Sequence, residues 1–126
     1  MDLAPETKPV LTIEEFFDGN IEDGVSIGCN LIPSIPLSTF RLVLENTRRR
    51  HDVYAVWLAV AEFDHDLKSP FVDEVLVLTS ARRRDLETWF TELRPSEIEA
   101  VDAAPIPPRC QNHEHAEANW FCVFWD

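Results

Sequence analysis

Apolar residues recur at helical spacing in two parts of the chain. Residues three, four and seven positions apart lie on one side of an α-helix, so each part predicts an amphipathic helix packed on a core. The positions are Leu37, Phe40 and Leu44 in the first part and Leu86, Trp89, Phe90 and Leu93 in the second. We expect the second helix to begin at Ser80, whose hydroxyl can cap it, and to end before Pro95.

Two capping boxes predict the starts of shorter helices. Thr12 and Glu15 predict a helix over residues 13–18, and Ser96 and Glu99 predict a second short helix. In a capping box the hydroxyl oxygen accepts a hydrogen bond from the amide three residues later, and the glutamate accepts one from the cap residue's own amide. Both helices are expected to be brief, since glycine or proline follows each of them closely.

Four segments rich in β-branched and aromatic residues predict strands. They are Val25–Leu31, Val53–Phe63, Asp73–Thr79 and Asn119–Trp125. The polar residues 64–70 between the second and third segments predict a hairpin loop.

The order of the main elements predicts the architecture. A β-α-β-β-α-β order is that of the split β-α-β, or ferredoxin-like, fold. We therefore expect an α+β two-layer sandwich, with a four-stranded antiparallel sheet, two main helices on one face and the short N-terminal helix in addition. The Val25 and Asp73 strands should be central, and the Val53 and Asn119 strands should form the edges. Residues 1–11 are expected to be a loose N-terminal arm, and residues 12–126 a single domain.

The strand over Val53–Phe63 is apolar at both alternating sets of positions. A sheet covered on one face only carries polar residues on the other, so we expect both faces to be covered. The N-terminal helix, the proline-containing residues 103–109 or a second copy of the chain could supply the cover. A second copy covers more surface and also shields an apolar edge, so the sequence predicts a homodimer.

Aromatic residues on the strands are the predicted interface. An indole ring favours a position with one edge in water, which suits an interface or a pocket, although an ordinary core is the alternative. The predicted interface residues are Trp57, Phe63, Trp120 and Trp125.

Length and charge narrow the function classes. The chain has 126 residues with 23 acidic and 11 basic side chains, for a net charge of −12. This charge argues against a nucleic-acid partner, and no apolar run is long enough to cross a membrane. The N-terminus lacks a secretory signal, and three cysteines are an odd number, which predicts a cytoplasmic protein with reduced thiols.

Arg82, Arg83 and Arg84 form the first candidate site. They fall in the first turn of a predicted helix, where positive charge opposes the helix dipole. They can bind an anion such as phosphate or carboxylate, or they can form ion pairs with the abundant acidic side chains. A second run, Arg48–Arg50, closes the preceding helix, where positive charge suits the dipole.

A cysteine and histidine group forms a second candidate. Thiolates and imidazoles suit zinc, but the spacing of this group matches no usual zinc pattern, so we expect no bound metal. The group consists of Cys110, His113, His115 and Cys122. Asp64, His65 and Asp66 suit a solvated loop as well as acid–base chemistry, and no base adjoins Cys29. We therefore assign no catalytic residue and expect no cofactor.

These observations predict a non-catalytic binding or regulatory protein. An acidic surface favours a basic protein partner and speeds the encounter with it. The alternative is a small ligand-binding protein or enzyme that acts on an anionic substrate near Arg82–Arg84.

Overall fold

A computed structural model describes residues 10–18, 35–62, 71–101 and 118–125. It contains a five-stranded sheet in the order β1-β2-β3-β5-β4, and every neighbouring pair is antiparallel. The strands are β1 (Val10–Leu11), β2 (Val53–Glu62), β3 (Phe71–Thr79), β4 (Glu97–Val101) and β5 (Asn119–Phe124). The helices are α1 (Ile13–Phe17), α2 (Leu37–Arg48) and α3 (Arg83–Trp89), and a 3₁₀ turn at Thr91–Leu93 follows α3.

The predicted four-stranded ferredoxin-like sheet with two main helices is therefore wrong, although the α+β class holds. The structure has five antiparallel strands and three helices in its described part. Strand β2 lies between β1 and β3, and β5 lies between β3 and β4, so neither is the edge that the sequence predicted. The predicted strand Val25–Leu31 and the loop over residues 64–70 lie outside the described residues.

Strand β4 replaces the short helix that the Ser96 and Glu99 capping box predicted. Ile98 is buried whereas Glu97 and Glu99 are exposed, and this alternation has the period of a strand. All five residues of β4 pair with β5, from Glu97 opposite Phe124 to Val101 opposite Trp120. The ladder with β5 supplies backbone hydrogen bonds along this segment, which a single helical turn with one capping box does not.

The three helices lie on one face of the sheet. Their buried residues form one core with the strand residues that point toward them, including Phe16, Phe40 and Leu86 together with Val75 and Val123. Helix α2 confirms the predicted stripe, since Leu37, Phe40 and Leu44 are all buried. The main core therefore lies between the helix layer and the sheet.

The capping box at the start of α1 is confirmed. The Glu15 amide donates to the Thr12 hydroxyl oxygen at 3.1 Å, and the Thr12 amide donates to Glu15 Oε1 at 2.9 Å. Helix α3 starts later than predicted: its N-cap is Arg82, whose amide donates to Asp85 Oδ2 at 3.0 Å. The Asp85 side chain therefore satisfies the amide of the N-cap residue, and the prediction that Ser80 caps this helix is wrong.

The opposite face of the sheet is also buried. A second cluster there contains only strand residues, and each member is at most 9% exposed. The members are Val10, Ala55, Ala59, Leu76, Leu78, Trp120 and Cys122. The expectation that both faces are covered is therefore confirmed. Phe16 and Phe17 belong to the core on the helix side, so α1 does not cover this second face.

The longest helix in the described ranges, α2, has 12 residues. No helix within those ranges has the length and apolar character needed to cross a membrane.

Candidate functional site

The fold brings the two arginine runs of the sequence to the same end of the sheet. One run ends just before β2 and the other begins just after β3, and Val53 at the start of β2 pairs with Thr79 at the end of β3. The Ser80 amide donates to the Asp52 carbonyl oxygen at 3.1 Å, and the Thr79 hydroxyl donates to the same oxygen. We call this region the arginine end; it comprises Arg49, Arg50, His51, Arg82, Arg83 and Arg84.

Arg50 has the best-defined side chain of the arginine end. Its guanidinium carbon lies 4.1 Å from the centre of the Trp89 ring, which is a cation–π distance. Its Nε lies 3.4 Å from Asp52 Oδ1, an ion pair that is longer than a good hydrogen bond. The side chain is 42% exposed. The Arg50 guanidinium is therefore held on two sides and still faces solvent.

The other arginines of this end are exposed and differ in their partners. Arg83 Nε lies 3.6 Å from Glu87, and an Arg49 terminal nitrogen lies 3.8 Å from Glu45. Arg82 and Arg84 are exposed and form no ion pair with any residue of the described ranges. Two guanidinium groups are therefore open to an external anion.

Positive charge is concentrated at this end of an acidic protein. Residues 49–52 and 80–87 together contain five arginines and three carboxylates, whereas the whole chain carries a net charge of −12. No lysine occurs in these two segments. Arginine presents a planar fork of donors that matches carboxylate and phosphate oxygens, so the arrangement suits recognition of an oxyanion.

Arg48 belongs to the same run as Arg49 and Arg50, but its side chain contacts Glu14 on α1. Its two terminal nitrogens lie 2.9 and 2.7 Å from the two Glu14 carboxylate oxygens. This hydrogen-bonded pair lowers the pKa of Glu14 from 4.5 to about 2 and raises the pKa of Arg48. Arg48 therefore ties α1 to α2, and it is not part of the arginine end.

A surface pocket of about 460 Å³ lies beside this pair. It is lined by Glu14, Glu15, Phe17, Asp18 and Arg41. Arg41 lies 5.8 Å from the centre of the Phe17 ring and donates through Nε to Glu45 at 2.7 Å. That hydrogen bond lowers the pKa of Glu45. The pocket is mainly charged, and its arginine is already engaged.

The structure describes one member of the candidate metal group. Cys122 lies on β5, and its thiol donates to Glu74 Oε2 at 2.9 Å. The described residues include no group of three or more potential ligands placed to hold a metal ion. Cys110, His113 and His115 lie outside the described residues, as do Cys29 and residues 64–66. The absence of a bound metal stays a prediction.

The predicted interface aromatics fall in different places. Trp57 is half-buried against the second-face cluster, and Trp120 belongs to that cluster. Trp125 lies in the main core, where its indole Nε1 donates to the Leu93 carbonyl oxygen at 2.7 Å. Phe63 lies outside the described residues. Both sheet faces are buried in a single chain, so an exposed apolar face no longer supports the homodimer, which stays a prediction.

Sequence reasoning found Arg82–Arg84 but not the rest of the arginine end. In the sequence, Arg49 and Arg50 suit the C-terminus of a helix and Trp89 fits a helical stripe, so neither pattern indicates a binding site. One signal could have joined the two runs: they flank a predicted hairpin. Antiparallel strands joined by a loop bring the residues outside the hairpin close together.

Comparison with known proteins places the chain in a family. Residues 2–122 match the model of the family described as the uncharacterized protein YfbO family. The chain is 37% identical over 91 residues to the uncharacterized protein YfbO of Escherichia coli strain K12. That match covers 70% of this chain and 62% of the relative, so the chain spans less than two-thirds of the relative's length. No solved structure gives a significant match. Since the family match extends over nearly the whole chain, the protein belongs to the YfbO family.

Proposed function

We propose that this protein is a binding protein that holds an anionic partner at its arginine end. The observation that carries the proposal is the convergence of two separate arginine runs at one end of the sheet, through the contacts of Thr79 and Ser80 with Asp52. Local ion pairs account for Arg49, Arg50 and Arg83 but not for Arg82 and Arg84. The assembly of the two runs on one surface, with Arg82 and Arg84 open, favours an external anion.

The side chains at this end suit contact-range recognition. A guanidinium binds an oxyanion through two parallel N–H···O hydrogen bonds, which give orientation as well as energy. The net charge of −12 repels an anion at long range, but at physiological salt this repulsion is screened beyond about 8 Å. An anionic partner is therefore directed to the arginine end and away from the rest of the surface.

The test is the change in melting temperature on adding inorganic sulfate, with ionic strength held constant by sodium chloride. A ligand that binds the folded state raises the melting temperature by mass action. We expect a rise for the wild type and a loss of most of it in Arg82→Ala/Arg84→Ala. The matched control is Arg41→Ala/Arg48→Ala, which removes two arginines of the same helix layer outside the arginine end. Equal sulfate-induced shifts in the two double variants would contradict the proposal.

A basic protein partner is the second candidate function. Exposed carboxylates support it: Glu97 and Glu99 on β4 and Glu92 in the 3₁₀ turn lie at the surface, and the net charge is −12. Such a partner would bind more weakly as salt increases, because charge attraction drives the encounter. A lysine-rich peptide should then bind the wild type and Arg82→Ala/Arg84→Ala alike, and more weakly Glu97→Gln/Glu99→Gln. Unchanged binding in the glutamate variant would remove this candidate.

A further inference from the structure

We infer that the arginine end is a phosphate site in which Trp89 positions Arg50. This inference rests on the proposed function and names both the anionic group and the residue that orients it. The Arg50 guanidinium lies against the Trp89 ring at 4.1 Å and beside Asp52 at 3.4 Å. Arg82 and Arg84 are exposed on the adjoining segment and form no ion pair in the described ranges.

The number of exposed guanidinium groups favours phosphate over carboxylate. A carboxylate has two oxygens and satisfies one arginine fork. A phosphate monoester has three acceptor oxygens and a charge near −2 at neutral pH, so it can receive hydrogen bonds from more than one arginine. Arg50, Arg82 and Arg84 together offer three forks, which match the larger and more highly charged group.

Arg50 differs from the other two arginines because its guanidinium is already ordered. The guanidinium carbon lies 4.1 Å from the centre of the Trp89 ring and Nε lies 3.4 Å from Asp52 Oδ1, so contacts on two sides restrict the side chain. Asp52 is itself anchored, since its carbonyl oxygen accepts hydrogen bonds from Thr79 and Ser80. A side chain that is ordered before binding loses less conformational freedom when the ligand arrives. Arg50 is therefore the contact that gives orientation, and Arg82 and Arg84 mainly supply charge.

The site is made of arginine side chains from two segments and does not depend on the start of α3. That helix has 7 residues, and the Arg82 amide before it is already bound to Asp85. The phosphate can belong to a small phosphomonoester or to a phosphorylated segment of a protein. Both sources present the same dianionic group to the three guanidinium forks.

The experiment measures dissociation constants for phenyl phosphate and benzoate at equal ionic strength in a buffer free of phosphate and sulfate. We expect phenyl phosphate to bind at least about ten-fold more tightly than benzoate, because it engages more than one fork. Arg50→Lys should weaken the binding of phenyl phosphate about ten-fold, since lysine keeps the charge but lacks the planar fork of donors. Equal affinities for the two ligands would overturn the phosphate assignment and leave anion binding at this end intact. Binding of neither ligand would overturn the proposed function itself.

Two substitutions test the positioning role of Trp89. Trp89→Leu should weaken the binding of phenyl phosphate several-fold. The salt dependence of binding should not change, because no charge is removed. Trp89→Phe should restore most of the affinity, because an aromatic face remains beneath Arg50. Circular dichroism shows whether each variant is folded. Weak binding in a folded Trp89→Phe, or full affinity in Trp89→Leu, would contradict the positioning role.

The source of the phosphate is tested with a matched pair of peptides. A short peptide that carries phosphoserine should bind more tightly than phenyl phosphate if the ligand is a protein segment, because flanking residues add contacts. The same peptide with unmodified serine should not bind. Equal affinity for the phosphopeptide and phenyl phosphate would assign the site to a small phosphomonoester. Equal binding of the two peptides would contradict a phosphate site.

Discussion

Arg48 on α2 holds both carboxylate oxygens of Glu14 on α1, at 2.9 and 2.7 Å, across 34 positions of sequence. The hydrogen bonds from Arg48 lower the pKa of Glu14 to about 2. The pair lies on the surface, where the Glu14 side chain is 59% exposed. Helix α1 is thus attached to α2 by this pair as well as by its buried phenylalanines.

The Glu14–Arg48 pair predicts a pH-dependent part of the stability. The folded-state pKa of Glu14 lies below its ordinary value of 4.5. The stabilisation that the ionised Glu14 gives to the folded state is therefore present above pH 4.5 and is lost as the pH falls toward 2. Glu14→Gln should therefore lower the free energy of unfolding at pH 7 by at most about 1 kcal/mol, since the pair is exposed. Urea unfolding at pH 7 and pH 3 measures the difference, which should shrink at pH 3.

Glu87→Gln is the matched control for that experiment, because Glu87 lies 3.6 Å from Arg83 in a looser pair on α3. It should change stability less than Glu14→Gln at pH 7. The prediction fails when Glu14→Gln destabilises the protein equally at both pH values.

The capping box at Thr12 predicts a local stability effect. Thr12→Ala removes the hydroxyl that accepts from the Glu15 amide at 3.1 Å, so we expect a loss of about 1 kcal/mol in the free energy of unfolding. Thermal unfolding followed by circular dichroism measures it. Thr88→Ala is the control, since its hydroxyl only donates to the Arg84 carbonyl within α3. A loss from Thr88→Ala as large as that from Thr12→Ala would argue against the capping role.

The buried indole of Trp125 predicts a larger loss of stability than the capping box at Thr12. Its Nε1 donates to the Leu93 carbonyl oxygen at 2.7 Å in a buried position. Trp125→Phe leaves that carbonyl without this donor, which should cost about 1–3 kcal/mol in addition to the lost packing. Denaturant unfolding should show a smaller loss for Trp120→Phe on the opposite face of the sheet. The reverse order of the two losses would contradict a structural hydrogen bond at Leu93.

The backbone at Arg94 predicts that glycine is more stable than alanine at this position. Arg94 has φ 47° and ψ 54°, the left-handed region that costs residues with a Cβ about 1–2 kcal/mol. Arg94→Gly should be more stable than Arg94→Ala by about 1 kcal/mol, because both remove the side chain and only glycine relieves the backbone. Parallel melting curves of the two variants measure this difference. An alanine variant as stable as the glycine variant would show that no strain is released.

Local patterns in the sequence determined the helices. The stripe of Leu37, Phe40 and Leu44 predicted α2, and the pair of Thr12 and Glu15 predicted α1. These signals succeed because a helix and its cap are made by residues three and four positions apart. These windows mark where the helices begin and which side is buried, and packing against the rest of the chain then stabilises helices of only 5 and 12 residues.

Local sequence patterns did not predict strand β4 or the order of the strands in the sheet. Ser96 and Glu99 have the spacing of a capping box, yet Ile98 pairs with Val123 of β5, far along the chain. Both alternatives are locally possible, and only the partner strand decides between them. Val10 likewise becomes part of a strand because it pairs with Ala59.

The sequence by itself determined that arginines occur in two runs, that the chain is acidic and that the segment Val53–Phe63 is apolar at both alternating sets of positions. The tertiary structure alone placed Arg50 on Trp89 and brought Arg82 to the same end of the sheet. The physical reason is the range of the contacts. Helical stripes and caps depend on neighbours within one or two turns, whereas strand pairing and the burial of a face depend on partners that only the folded chain brings together.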